Sequence, residues 1–298
     1  MEEVRCNLCG GDSTVPVAQI NGFNIVRCQH CGLTYVNPRL NIDEVHAIYD
    51  ERYYRNEGLQ NGNGSQFFGY DDYLGDEENI RLTFAKRLRT IEVYVERGRL
   101  LDIGCATGFF LNVARDHGWD VVGTEVSEYS VDYARSHFGL DVRLGTLRDI
   151  RFESDTFDVV TMWDVIEHLT DPMGELQEIR RILRPGGLLS IITPNVDSLV
   201  ARVLGPRWEE FRRVREHLYF FSPRTLAAML DRVGFVVLKT ESADKFFYLG
   251  PAVRRMRYYL WDSVATDILY RIVHRLRLDK VRLNVNPFTK VALYARKE

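Results

Sequence analysis

The 298-residue chain has no apolar run near the roughly 18 residues that a membrane-crossing helix requires, so it is not expected to span a bilayer. Its start, Met1 to Cys6, lacks the basic-then-apolar build of a secretory signal, which points to the cytoplasm. Neither sign of charge is in excess. A formal net charge of -3 gives no global attraction to nucleic acid, although it leaves room for a local basic face. No long tandem repeat is visible. Cysteine is scarce, at 5 residues, and in a reducing compartment so few thiols argue for metal ligation over a disulfide framework. What is present, 45% hydrophobic and 27% charged residues, can bury one sizeable core and still carry a small appendage.

Four of the five cysteines form two Cys-x-x-Cys-Gly knuckles, Cys6-Asn7-Leu8-Cys9-Gly10 and Cys28-Gln29-His30-Cys31-Gly32. Two tight turns of this kind supply the four soft ligands of a tetrahedral ion, and each trailing glycine relieves the backbone where amides turn toward thiolate. Structural Zn2+ held by Cys6, Cys9, Cys28 and Cys31 is the expected occupant, with an iron site of the same kind or a redox pair as alternatives. A closed four-thiolate shell has no open position for chemistry, so this ribbon stabilises or recognises. His30 is then an exposed knuckle residue, and Cys105 a small apolar filler.

The ribbon is expected to span residues 1–38, and residues 39–97 a helical linker and cofactor lid. In the linker, Ile42 to Tyr54 suits a short helix, and Gly58 to Gly69 reads as a loop. Glu77 to Glu96 reads as an amphipathic helix through Ile80, Phe84, Leu88, Ile91 and Val95. Tyr70 and Tyr73, just ahead of it, are packing residues or close over a ligand. Residues 98–298 alternate strand and helix, with strands at 99–103, 120–123, 141–144, 157–162, 188–193 and 235–241. That rhythm predicts a doubly wound, Rossmann-like sheet of seven strands, mostly parallel. The helix from Met173 is expected to stop at Pro185-Gly186-Gly187.

The stretch Leu100-Leu101-Asp102-Ile103-Gly104-Cys105-Ala106-Thr107-Gly108 is a buried strand turning tightly into a helix, and such turns at the carboxyl edge of a parallel sheet bind nucleotide-like cofactors. Glu125 closes the next strand about 20 residues on, where an acceptor-only carboxylate takes both hydroxyls of a ribose. The spacing is not that of the dinucleotide fingerprint. Together with Asp158-Val159-Val160, Asp164-Val165-Ile166-Glu167-His168-Leu169-Thr170-Asp171-Pro172 and Leu183-Arg184-Pro185-Gly186-Gly187-Leu188, these residues resemble a class I S-adenosylmethionine-dependent methyltransferase of the branch that includes ubiquinone-type and small-molecule enzymes. The resemblance runs from about Arg99 to the end and departs at Ala106, where the family usually has glycine. Alanine is tolerated there if its backbone φ is negative.

The resemblance implies that S-adenosylmethionine lies against the Gly104 to Gly108 backbone with Asp102 near its amino group and Glu125 on its ribose. Thr146 and Leu147 would flank the adenine, and Trp163 and Asp164 would sit beside the cofactor, open to the substrate. Methyl transfer needs positioning above all, plus one base if the acceptor must lose a proton. His168 and His217 are the candidates, each with packing as the alternative role; His217 stands in Arg215-Glu216-His217-Leu218-Tyr219-Phe220-Phe221-Ser222-Pro223, a string resembling the same branch. Tyr219 and Trp208 are candidate substrate-side residues.

The last strand, Thr289 to Ala295, is expected to pair antiparallel with the sixth. A long helical insertion at about 245–287 separates them, and between Phe246 and Leu283 it mixes arginines with aromatic and aliphatic residues. A packed helical pair with a solvated basic face is one reading. Peripheral contact with a membrane surface, a lipid-linked substrate or an anionic sugar is the other. The expected activity is methyl transfer to a small or carrier-linked metabolite such as a sugar or quinone-like acceptor. The rivals are an RNA methyltransferase that uses the ribbon for recognition and a non-catalytic S-adenosylmethionine sensor.

Overall fold

The computed structural model describes residues 1–46, 48, 76–250, 253, 264–279, 281–286 and 288–298. Tyr70 and Tyr73 therefore lie outside the described residues, as does part of the arginine- and aromatic-rich insertion.

The chain begins with a hairpin, β1 (Thr14–Ile20) and β2 (Phe23–Cys28). Asn21 and Gly22 close it with φ of +50° and +83°, the left-handed pair that a two-residue hairpin turn favours. Strand β3 (Thr34–Val36) extends this sheet, and its far side is taken by β9 (Tyr219–Phe220), giving the order β1-β2-β3-β9. A strand from the crossing between β8 and β10 thus completes the sheet of the cysteine ribbon. A short helix α1 (Ile42–His46) follows, and then α2 (Glu77–Ile91). The latter stops short of Glu96 because the amides of Val93 and Tyr94 fold back onto Thr90 and Ile91 carbonyls, tightening the last turn.

The principal sheet has seven strands in the order β10-β13-β8-β7-β4-β5-β6: β4 (Arg99–Ile103), β5 (Asp120–Glu125), β6 (Asp141–Leu144), β7 (Phe157–Trp163), β8 (Leu183–Pro194), β10 (Phe235–Ser242) and β13 (Lys290–Lys297). Strands β6, β5, β4, β7 and β8 run parallel, whereas β13 is antiparallel to both neighbours. Leu100, Leu101, Val159 and Val160 are wholly buried, as strands covered by helices on both faces require. The crossovers are α3 (Phe109–Asp116), α4 (Glu128–Phe138), α5 (Leu147–Ile150), α6 (Pro172–Ile182), α7 (Leu199–Leu204), α8 (Glu209–Arg212) and α9 (Pro223–Val233). Their ends follow the local sequence. Asp171 caps α6 through Gly174 N ahead of Pro172, and α9 opens on a Ser222–Thr225 capping box and closes on Gly234 at φ +86°. Strand β8 starts at Leu183, earlier than expected, because Leu183 already pairs with Phe157; Arg184 to Gly187 then bulge out before the ladder resumes at Val159–Leu188.

The insertion is not purely helical. Strands β11 (Lys245–Tyr248) and β12 (Arg282–Val285) pair antiparallel and enclose helix α10 (Val264–Arg275). A short aromatic run such as Phe246-Phe247-Tyr248 carries no period that separates strand from helix. One core joins ribbon and sheet: Cys6, Leu8, Cys28 and Tyr35 share a cluster with Ile103, Met162, Leu176 and Leu226.

Candidate functional site

The turn after β4 is shaped by its own backbone. Gly104, Ala106 and Gly108 take φ of +67°, +47° and +82°. A Cβ on Gly104 would stand 2.6 Å from Val165 Cγ2, and one on Gly108 2.7 Å from Leu140 Cδ1. Only glycine fits either position. Ala106 does not meet the condition of negative φ: it sits in the left-handed region, which costs an L-residue about 1–2 kcal/mol. Its amide is held there by Glu125 Oε2 at 2.9 Å. Cys105 packs its thiol against Gly123, the filler role expected of it.

Glu125 is buried at the end of β5. Besides Ala106 N, it accepts the amides of Val126 and Ser127 through Oε1 at 2.8 and 3.0 Å. The carboxylate therefore ties β5 to the glycine turn, and a ribose would share it with the Ala106 amide. Asp102, one strand over, accepts Thr161 Oγ1 at 2.6 Å. Burial pushes its carboxyl up to about 7 against that hydrogen bond, with the charge of Glu125 adding to the rise. Thr107 Oγ1, inside the turn, is buried without a hydrogen-bond partner among the described residues, a vacant polar contact of the kind a bound ligand satisfies. Thr146 caps α5 through Asp149 and stays partly exposed, while Leu147 is buried in the core. Trp163 is walled by Phe84 and Phe110, with Arg87 over its ring at 5.2 Å and Ser190 Oγ accepting its indole N–H at 3.0 Å.

Beyond Trp163 the chain makes a second, polar cluster. Asp164, at φ +58°, accepts Lys290 Nζ at 2.7 Å; burial would raise its carboxyl, and Lys290 and Arg87 hold it below its ordinary range. A 3-10 turn at Ile166–His168 then presents Glu167 and His168. Glu167 accepts Thr193 Oγ1 at 2.8 Å, and burial, with the charge of Asp164, pushes it up to about 8. The Nδ1–H of His168 donates to Glu216 O at 3.0 Å, and burial and Arg213 push this imidazole down to about 4. His217 stands edge-on to His168 with ring centres 4.6 Å apart. Its Nδ1 lies 3.4 Å from Glu210 Oε2 and its Nε2 3.5 Å from Arg213 Nη1, and burial holds it well below the usual histidine range.

The two histidines, distant in sequence, thus meet, and backbone hydrogen bonds explain why. Leu218 N donates to Glu167 O at 2.8 Å, and Val36 N to Leu218 O at 2.9 Å, so the His217 strand is clamped between the 3-10 turn and β3 of the ribbon. The same turn lies over the glycine turn after β4, because Val165 is the side chain that Gly104 must accommodate. Glu167, Thr193, Glu210, Arg213 and Lys290 escaped the sequence reading; only the acid beside His168 stood in a motif that would have drawn attention. Trp208 is buried against Phe211 and Phe220 in a cluster with Ile25 and Val36. The Tyr219 hydroxyl accepts Arg39 Nη1 at 2.8 Å and donates to Thr170 O at 3.3 Å.

At the ribbon, Cys6 and Cys31 sulfurs lie 3.4 Å apart and those of Cys9 and Cys28 3.5 Å, with all four in one group. A tetrahedral ion with bonds of about 2.3 Å spaces thiolates by about 3.8 Å, so a small expansion fits these four to a metal. Gly10 and Gly32, at φ +74° and +82°, turn each knuckle as expected, and exposed His30 stands outside the cluster. Asn7, within the first knuckle, donates to Asp171 Oδ1 at 3.0 Å and accepts Met173 N at 2.9 Å. The ribbon therefore braces the start of α6.

Comparison with known proteins agrees with this architecture. Residues 76–240 match the family model described as "Methyltransferase domain". Relatives include the ubiquinone biosynthesis O-methyltransferases of Cereibacter sphaeroides, 35% identical over 117 residues, and of Roseobacter denitrificans, 33% identical over 157 residues. The matches cover 37% and 46% of this chain and 47% and 63% of those proteins, so the chain spans about half the length of the curated relatives it matches. Among solved structures, a Thermotoga maritima S-adenosylmethionine-dependent methyltransferase, described as a possible histamine N-methyltransferase, superposes with a TM-score of 0.52 at 20% identity, covering 76% of this chain and 93% of its own. A methyltransferase from Archaeoglobus fulgidus gives 0.51 at 21% identity, covering 76% and 100%. These two likenesses speak for the fold alone. The family match takes in the glycine turn, Glu125 and both histidines, and on it the chain belongs to the methyltransferase-domain family.

Proposed function

We propose that the protein transfers a methyl group from S-adenosylmethionine to an oxygen of a small or carrier-linked, quinone-like acceptor. The observation that carries this reading is the placement of the His168–His217 pair directly beyond Val165, the residue that lies on the glycine turn. S-adenosylmethionine, when bound, supplies a methyl on a positively charged sulfur. The residues that would hold it are the Gly104 to Gly108 backbone and Thr107 hydroxyl for the methionine portion, Asp102 for its ammonium, Glu125 for its ribose, Thr146 and Leu147 for its adenine, and Trp163 and Asp164 for the side open to the acceptor. On that side His168, whose Nδ1–H is spent on Glu216 O, has its lone pair on Nε2 to receive and orient an acceptor hydroxyl. The oxygen acceptor is favoured by the names of the relatives, which are O-methyltransferases of ubiquinone biosynthesis.

The four cysteines in this reading hold structural Zn2+, and the ribbon acts as a brace. Its shared core with the sheet and its strand pairing with Tyr219–Phe220 support that role over a separate RNA-recognition face. No helix among the described residues is long and apolar enough to cross a membrane. Peripheral contact with an anionic bilayer is supported by α10, whose exposed Ile268 and Ile272 lie beside Arg271 and Arg275, with exposed Leu276 just beyond the helix end.

Calorimetric titration with S-adenosylmethionine, followed by product analysis against catechol-type, sugar and RNA acceptors, tests the reading. Binding plus methylation of a catechol-type hydroxyl is the expected result. Binding without any methylated product would favour a sensor, and absence of binding would overturn the assignment of Glu125 and the turn. Flotation with anionic vesicles reads the membrane contact separately, and loss of flotation in Ile272→Asp is expected.

A further inference from the structure

The outer side of α2 carries a groove that the proposed methyl transfer does not use. It encloses about 510 Å³ between α2 with the turn after it, β10, and the β11–β12 ladder. That volume falls within the roughly 300–1,000 Å³ of small-ligand sites. Helical spacing sets it apart from the Trp163 wall. Phe84 and Arg87 lie on the face of α2 that meets Trp163, at 5.6 Å between ring centres and 5.2 Å from the guanidinium. Lys86, Arg89 and Thr90, at i, i+3 and i+4, line the groove from the opposite face. The ladder is pinned to α2 as the other wall, because Phe246 N donates to Thr83 Oγ1 at 3.1 Å and Arg282 Nε to Asn79 Oδ1 at 2.9 Å.

The lining is basic on one side and aromatic on the other. Lys86, Arg89 and Lys239 bring cations from α2 and β10, while Tyr94, Phe246 and Val93, the last 76% exposed, bring apolar surface. Behind Tyr94, Arg296 donates from Nη2 to the Tyr94 carbonyl at 3.3 Å, and its Nε is buried without a hydrogen-bond partner among the described residues. Against these four cations stand Asp244, paired with Lys86, and Glu241, 2.7 Å from Lys239. The groove therefore keeps an excess of positive charge. The end of α2 does little to offset it, since the amides of Glu92, Val93 and Tyr94 fold back onto the Leu88, Thr90 and Ile91 carbonyls. A lysine paired with one carboxylate still has N–H donors to give, and an arginine meets an oxyanion through two parallel N–H bonds. Cations converging from two elements suit the three terminal oxygens of a phosphate better than the two of a carboxylate.

We propose that this groove is a second ligand site, for a small phosphate monoester with an aromatic body, on the face of α2 turned away from the glycine turn and the histidine pair. The phosphate lies among Lys86, Arg89 and Lys239, and the ring packs between Tyr94 and Phe246, where Asn284 offers its amide to a polar substituent. The assignment stands apart from the methyl-transfer reading, and neither depends on the other.

The test uses the full chain and 1-naphthyl phosphate as the probe, titrated by calorimetry with and without saturating S-adenosylhomocysteine. One bound probe per chain is expected, at an affinity that S-adenosylhomocysteine leaves unchanged and that falls as salt is added. Arg89→Glu and Lys239→Gln should each weaken it by about 10-fold, the loss of one hydrogen bond to a charged group, and Arg202→Gln, an exposed arginine on α7, should leave it unaltered. Inorganic phosphate and 1-naphthol, each lacking half of the ligand, should bind at least about 10-fold more weakly than the probe. Circular dichroism on the same variants reports folding. Absence of saturable binding, displacement by S-adenosylhomocysteine, or folded Arg89→Glu and Lys239→Gln proteins that bind as wild type does would overturn the site, as would 1-naphthol binding as tightly as its phosphate. Such a failure leaves cofactor binding at the glycine turn untouched, and loss of cofactor binding leaves the groove untouched.

Discussion

The glycine turn and the histidine cluster meet at Val165 but are made by different means. From Gly104 to Gly108 the shape comes from three positive-φ residues within one loop, tied by the Ala106 amide to the Glu125 carboxylate on the adjacent strand. The cluster draws Asp164, Glu167 and His168 from the end of β7, Thr193 from β8, Glu210 to His217 from the following crossing, and Lys290 from the last strand. Its registration depends further on β3 of the ribbon, through Val36 and Leu218. A backbone-built site is sensitive to any added Cβ and indifferent to distant mutations. A side-chain-built site is sensitive to every segment that feeds it.

Removing the ribbon metal should show this contrast most strongly. Cys28→Ser, or chelation, is expected to lower the melting midpoint of the whole chain by roughly 6–12 °C in one transition, as a loss of about 3 kcal/mol would in a domain of this size. Acceptor turnover should collapse while cofactor affinity per folded molecule holds. Two separate transitions in scanning calorimetry would break the idea that ribbon and sheet share one core.

Gly104→Val is the converse. Its Cβ meets Val165 Cγ2 at 2.6 Å in a left-handed backbone, so S-adenosylmethionine affinity should fall by about 100-fold or more, with about 2–4 kcal/mol lost from stability. His217→Gln, by contrast, should leave that affinity within about 2-fold, since it alters only the side-chain-built half. Calorimetric titration of both variants reads the difference, and equal losses would erase the distinction drawn here.

Arg39 joins the ribbon to the cluster through Glu2 Oε1, Thr170 O and Tyr219 OH. Arg39→Met should cost about 2–3 kcal/mol in urea melts, because the Thr170 carbonyl and Tyr219 hydroxyl lose a charged donor. Its effect on turnover should exceed its effect on cofactor binding.

Asp102 makes a pH prediction for the cofactor half. Its carboxyl is raised by burial from an ordinary 3.8 to about 7 in the folded protein, so its contribution is fully present below the ordinary value and is lost as pH rises through about 7. Asp102→Asn should remove the Asp102 share of the fall in stability across that window, in which Glu175 and Glu167, raised by burial to about 7 and about 8, give slopes of the same sign and His168, lowered to about 4, gives one of opposite sign below its ordinary 6.5. An ammonium beside Asp102 favours the ionised carboxylate, so S-adenosylmethionine binding at about pH 6 should release protons, readable from calorimetry in buffers of different ionisation heat. Identical slopes for wild type and variant would remove Asp102 as the source. The smallest effect is expected from Ala106→Gly, which relieves the left-handed alanine and should stabilise the fold by up to about 1 kcal/mol, with unchanged methyl transfer.

Much of the fold was legible because it is written locally. The alternation of strand and helix, the two cysteine knuckles and the glycine turn all depend on residues a few positions apart, whose φ/ψ preferences and apolar spacing act before any tertiary contact forms. His168 and His217 were each legible as candidates, but their meeting was not. Ala106 shows the limit from the other side: its identity stood in the sequence, its positive φ only in the folded turn.

The amino-acid sequence alone thus determined the doubly wound sheet, the cofactor turn and the four-thiolate group, since short-range sterics and periodicity suffice for each. Tertiary structure alone decided that Tyr219–Phe220 would complete the ribbon sheet, that Lys290 would cross to Asp164, and that Glu125 would turn back onto Ala106. Those choices rest on desolvation and on hydrogen bonds between segments far apart in the chain. A buried charge takes whichever partner the packed fold brings within reach, and no local pattern names that partner in advance.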